Sequence, residues 1–130
     1  GIFREAKRIT RPDGLLVHCV DHSDHFSHVD RGLPAIHFLR YGDSEWNRYA
    51  GNRFAYVNRL REDDYLRIFR DCGLEIGSVG SEPDETVVRL LQNGFPLHSR
   101  FRGKPYDMLS RLNSTFVLLC KSTSNATTAA

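Results

Sequence analysis

The sequence predicts an α/β fold of about three strands with flanking helices. Three observations predict it. Apolar runs at 15–20, 74–81 and 115–120 have the length of strands. Two other stretches, 61–72 and 81–93, space their apolar residues at helical intervals. The two kinds of segment alternate along the chain, as they do in α/β domains.

The chain has 130 residues, enough for one domain with one core. Its composition is that of an ordinary globular protein, 40% hydrophobic and 26% charged. A net charge of +2 is too small an excess to argue for nucleic acid. No apolar run approaches the ~20 residues of a membrane-spanning helix. The three cysteines, Cys19, Cys72 and Cys120, are odd in number, far apart and set among apolar residues. That pattern predicts reduced, buried thiols in a cytoplasmic protein, not a disulfide framework.

Taken in order, Ile2, Phe3, Ala6 and Ile9 predict a helix over 2–9, with basic residues in its last turn. Arg11-Pro-Asp-Gly is a turn in which Asp13-Gly14 tolerates positive φ. Leu15, Leu16, Val17, Cys19 and Val20 then suit a strand buried on both faces. A helix leading straight into a buried strand suggests a fragment of a larger fold. Residues 27–58 are irregular, with short helices expected at 35–41 and 44–49 and either Asp43 or Ser44 as a cap. Aromatics and arginines crowd this segment, which reads either as a satellite cluster or as a lid-like, acceptor-binding insertion.

Tyr65, Ile68, Phe69 and Cys72 mark the clearest helix, with three acidic residues in its first turn and Gly73 as its stop. The strand at 74–81 carries Gly77 and Gly80, which mark a bulge. Ser81 and Asp84 resemble a capping box for the next helix, and Gly94 ends it. A basic loop containing Arg100, Arg102 and Lys104 follows, then a short helix from Pro105 through Leu112. Residues 115–120 (TFVLLC) are apolar on both faces and predict an interior strand. The tail 122–130 is small, polar and expected to fray.

The chemistry-bearing stretch is 21–28, DHSDHFSH, at the carboxyl end of the first strand. Strand ends are where open α/β sheets bind ligands. His22 and His25 are candidate proton acceptors because imidazole titrates near neutral pH, and Asp21 can orient either. The same segment supplies metal-ligand types in His18, Asp21, His22, Asp24, His25 and His28, without a fixed zinc spacing. Loop-fixing hydrogen bonds are the ordinary alternative for each of these residues.

Several motifs together resemble the C-terminal half of a class I S-adenosylmethionine-dependent methyltransferase. Arg11-Pro-Asp-Gly-Leu-Leu-Val-His resembles that family's turn into its fifth strand, with Asp13 where a glycine is usual. Cys72-Gly73-Leu74-Glu75-Ile76 resembles its helix-to-strand junction, and residues 115–121 its seventh strand. Asp21-His22-Ser23-Asp24-His25, Phe38-Leu39-Arg40-Tyr41 and Asn58-Arg59-Leu60-Arg61 are similar to a subgroup of bacterial methyltransferases, some of them glycan-related.

The resemblance covers 2–121 and implies half of a Rossmann-like fold. Its three strands would take the order 5-7-6, with strand 7 antiparallel. It places Asp21, His22 and His25 at the acceptor, and Arg40, Asn58, Arg59 and Arg61 around a small-molecule or glycan-type methyl acceptor, where the arginines can hold an anionic group. The glycine-rich loop and the acidic residue with which the family binds S-adenosylmethionine have no counterpart in this chain. Tight binding of that cofactor by the chain alone is therefore not expected. The first strand is left with an open edge, which predicts a homodimer. A non-catalytic binding module and a His/Asp metal-binding module are the alternative readings.

Overall fold

The computed structural model describes residues 1–51 and 57–121. The tail expected to fray lies outside the described residues, as do Arg53, Phe54 and Tyr56 of the irregular segment. The elements run α1 (Ile2–Ile9), β1 (Gly14–Asp21), α2 (Phe26–Val29), a 3₁₀ turn (His37–Arg40), α3 (Asp43–Ala50), α4 (Glu62–Asp71), β2 (Glu75–Gly80), α5 (Glu85–Gln92), α6 (Tyr106–Ser110) and β3 (Asn113–Cys120).

The three strands form one sheet in the order β1-β3-β2. The last strand lies in the centre and runs antiparallel to both neighbours, so β1 and β2 share a direction without touching. β1 pairs along its whole length, Leu15 opposite Leu119 and Val17 opposite Val117. The β2 register shifts between Ile76 and Ser78, which makes Gly77 the extra residue of a bulge. A Cβ there would meet the Val117 carbonyl oxygen at 3.2 Å, so the bulge suits glycine.

The described elements cover only one face of the sheet. On it, Phe3 of α1 and Tyr65 and Phe69 of α4 pack on Leu16, Phe116 and Leu118. Phe3 meets Phe69 edge-on at 4.9 Å, and Phe69 meets Phe116 at 5.0 Å. The other face carries Leu15 and Val17, each 60% exposed. The expectation of a strand buried on both faces is therefore corrected for β1. Its alternate residues point outward because the described elements put no layer there. Cys19 lies on that outward face and is exposed, against the expectation of buried thiols; Cys72 is half-buried, Cys120 is buried, and all three are free.

A second core lies beside the sheet. Ile36, Phe38, Leu39 and Trp46 pack against Val87, Leu91, Leu97 and Phe101. The described part of the irregular segment is thus one wall of a packed core, with α5 and the loop after it as the other.

Three end signals are reassigned. The α5 cap is Asp84 itself, whose Oδ1 accepts from the Val87 amide at 2.9 Å, while Ser81 turns away to donate to Glu62. α3 begins after Gly42, whose N–H is taken by the Glu45 carboxylate at 3.0 Å, so neither Asp43 nor Ser44 caps it. α6 stops at Ser110, short of Leu112. In the first turn of the chain the positive φ falls on Asp13, at 58°. No described helix is long and apolar enough to cross a membrane.

Candidate functional site

β1 ends by delivering Asp21 and His22 to opposite sides of the sheet, because successive strand residues alternate. His22 points inward and is 2% exposed. Its Nε2 lies 2.9 Å from Ser114 Oγ, and Ser114 donates in turn to Glu62 Oε2 at 2.8 Å. Ser114 is thereby left to accept, so the neutral ring carries its proton on Nε2. Its bare Nδ1 faces the Leu60 carbonyl at 3.3 Å. Burial pushes this imidazole down to about 4, helped by the nearby Arg61 charge, while the Leu60 carbonyl and Glu62 pull weakly the other way. Glu62 also accepts from Ser81 and from Arg111 at 2.6 Å. Burial raises the Glu62 carboxyl, but these donors outweigh it and hold it below its ordinary value.

Asp21 and His25 lie outside. The Asp21 carboxylate accepts from the Ser23 amide at 2.8 Å and sits 3.5 Å from His25 Nε2. Burial raises Asp21, but the Ser23 hydrogen bonds and the fields of His25 and His28 bring it below its ordinary value. The His25 and His28 rings stack at 5.3 Å, and His28 Nε2 lies 2.9 Å from Ser23 Oγ. Of the two candidate histidines, His25 is therefore the one open to solvent.

Asp24 is fully buried. Its Oδ1 accepts from the Phe26 amide, and its Oδ2 has no hydrogen-bond partner among the described residues. Burial raises its carboxyl, and the pull of the Phe26 amide and of His37 does not offset that. His18 stacks on Phe69 and meets Phe3 edge-on, so it is a core ring. Among the described residues no group of three or more His, Cys, Asp and Glu side chains is arranged to hold a metal ion.

The basic residues expected around an acceptor are placed mostly as clamps. Arg61 is fully buried and donates to three carbonyls: His22 at 2.7 Å, Leu109 at 2.9 Å and Arg111 at 2.7 Å. Burial lowers its guanidinium to about 10, against the raising fields of Asp63 and Asp64, so it stays charged near neutrality. Arg59 donates to the Phe38 and Tyr41 carbonyls and to Asp43 at 2.5 Å. Its guanidinium lies 5.5 Å from the Trp46 ring centroid. Asn58 donates to the Tyr65 hydroxyl at 2.6 Å and accepts from the Leu60 amide at 2.7 Å. Arg40 is exposed, with its guanidinium over the Tyr41 ring at 5.7 Å.

Two clefts flank Trp46. One, of about 360 Å³, is polar and walled by Asp43, Arg59 and Arg100. The other, of about 400 Å³, lies between α2, the 3₁₀ turn and α3, with Phe26, His37, Tyr41, Trp46 and Tyr49 around it. The sequence reading noted the density of aromatics here but passed over His37. The available signal was its spacing: His37 and Tyr41 stand four apart, and Tyr41 Oη lies 3.1 Å from His37 Nε2. Compared with known proteins, the chain matches no family model, no curated protein and no solved structure.

Proposed function

We propose that the chain is the acceptor side of an S-adenosylmethionine-dependent methyltransferase. The observation that carries this reading is the strand order. A central last strand, antiparallel to two neighbours that share a direction, agrees with the 5-7-6 order that the sequence resemblance implies. A smaller observation supports it. Asp13 stands where the family usually has glycine, and it takes the positive φ that glycine would take there.

In this reading the acceptor meets the segment that follows β1. His25, open to solvent with Asp21 at 3.5 Å, is the side chain placed to take a proton from it. His22, closed off and bonded to Ser114, holds the segment in place. The three free thiols suit a reducing, cytoplasmic setting.

The described residues do not form a cradle for the sulfonium cofactor. Gly77 lies inside β2 under Val117 and Leu119, and no glycine-rich turn among them joins a strand to a helix N-terminus. In this reading the cofactor would be held by the part of the fold that carries the family's glycine-rich loop. Calorimetric titration tests the reading on two samples. The chain alone takes up S-adenosylmethionine weakly or not at all, and a polypeptide that carries its natural upstream sequence binds it. Micromolar binding to the chain alone, or none to the longer polypeptide, would overturn it.

A second reading has an observation of its own. The apolar outer face of β1, at an open sheet edge, suits a module that assembles with a copy of itself.

A further inference from the structure

We propose that the cleft between α2, the 3₁₀ turn and α3 binds a hydroxylated aromatic ring, its hydroxyl set against the His37–Tyr41 pair; that such a ring is the methyl acceptor rests on the methyltransferase reading, whereas the binding does not.

The walls argue for a ring. Phe26 meets Trp46 edge-on at 78°, so the cleft has a corner that offers a ring both a face and an edge. Tyr49 lies 5.3 Å from Tyr41 and extends the platform. Three large apolar side chains that ordinarily seek burial stand open around this one cleft: Phe26 at 46%, Val29 at 88% and Tyr49 at 67% exposure. Single exposed apolar residues are common, but a cluster of them around a concave site marks a binding surface.

The polar groups are few, and they decide the ligand class. The cleft offers the His37 ring, two tyrosine hydroxyls and the Asp30 carboxylate. His37 and Tyr41 already pair at 3.1 Å, and Asp30 Oδ1 accepts from the Gly32 amide at 2.9 Å. A sugar would bring several hydroxyls to walls that are mostly apolar and whose His37 and Tyr41 are already paired with each other, and each unanswered group costs free energy. A cationic ligand is disfavoured as well. The Trp46 ring already carries the Arg59 guanidinium at 5.5 Å, and the Tyr41 ring carries that of Arg40 at 5.7 Å. A ring with one hydroxyl satisfies the walls and finds one polar pair.

Trp46 is the only tryptophan in the chain and borders both clefts, so its emission reports a ligand in either, and the Tyr49 and His37 variants, which touch this cleft alone, assign the change to it. The probes are p-cresol, toluene, methyl glucoside and tetramethylammonium, titrated into the chain while tryptophan is excited selectively. We expect p-cresol to change the emission saturably and more tightly than toluene. Tyr49→Ala, an exposed position whose loss leaves the fold intact by circular dichroism, weakens p-cresol about five-fold. His37→Phe removes the preference for p-cresol over toluene, which a merely structural role would not do. Val79→Ala, on the far strand, changes nothing. Saturation by the glucoside or by tetramethylammonium in place of p-cresol would overturn the ligand class. No saturable change, or indifference to Tyr49→Ala, would overturn the site. If p-cresol binds and the longer polypeptide shows no S-adenosylmethionine binding, the cleft stands and the methyltransferase reading falls. If the cofactor binds there and p-cresol leaves Trp46 unchanged, the cleft falls and that reading stands.

Discussion

Arg61 and His22 separate two roles that look alike in sequence. An arginine beside a strand end can hold an anionic ligand or hold the backbone, and Arg61 is buried against three carbonyls. Arg61→Met keeps the bulk of the stem and strands those acceptors. The expected loss of stability is on the order of 3 kcal/mol in urea denaturation, since one buried unsatisfied group costs about 1–3 kcal/mol. Unchanged stability would return Arg61 to the ligand-binding candidates. His22 gives a pH signature. Its folded value is about 4 and its ordinary value 6.5, so between them the unfolded chain binds more protons. The stability it contributes is fully present above pH 6.5 and is lost as pH falls through 4. The full span is worth on the order of 3 kcal/mol. Asp21, Glu62 and Asp64, held below their ordinary values by their hydrogen bonds and neighbouring charges, act with the same sign, and their contributions fade as pH falls through the carboxylate range. Asp24, raised by burial, has the opposite sign and favours the fold at low pH. His22→Gln should flatten the stability curve between pH 6.5 and 4; a curve that keeps its slope would assign the proton uptake elsewhere.

At the scale of elements, much of the chain was legible because the signals were local. α1 follows from the spacing of Ile2, Phe3, Ala6 and Ile9, and the end of α4 from Gly73, whose φ is 69°. The Gly77 bulge was legible because a glycine inside an apolar run has few other uses. What misled was partnership across the chain. Ser81 has the type and spacing of a cap, yet Glu62, nineteen residues upstream, takes its hydroxyl at 2.5 Å. Leu15 and Val17 read as buried because apolar residues usually are, and whether a layer covers them is not written in β1 itself. The same limit applies to the candidate site. A sequence shows that His22 and His25 are three apart, but not that the strand's alternation buries one and exposes the other once β1 stops at Asp21. His37 and Tyr41 went unread because a four-residue spacing in an irregular segment carries little weight until the turn that closes it is seen.

For the whole molecule, the question is what covers the open side of the sheet. β1 has β3 on one side and no described strand on the other. Its outer face sets Leu15 and Val17 beside the half-buried Leu119 and Val117, one apolar stripe over two strands. An edge strand with such a stripe pairs readily with its own copy, because an antiparallel two-fold pairing of β1 matches one stripe to the other. The chain alone should therefore be a dimer by light scattering. Val17→Lys, which puts a charge in the middle of the stripe, should make it a monomer without loss of helix or strand signal. The methyltransferase reading makes a further demand on the same edge. In that fold a strand of the same polypeptide lies beside β1, so the longer polypeptide should be a monomer where the chain alone is a dimer. A dimer in both, abolished in both by Val17→Lys, would mean that the edge is a true assembly surface and that no such strand fills it. A clean monomer of the chain alone would show that the stripe is too narrow to hold two copies together.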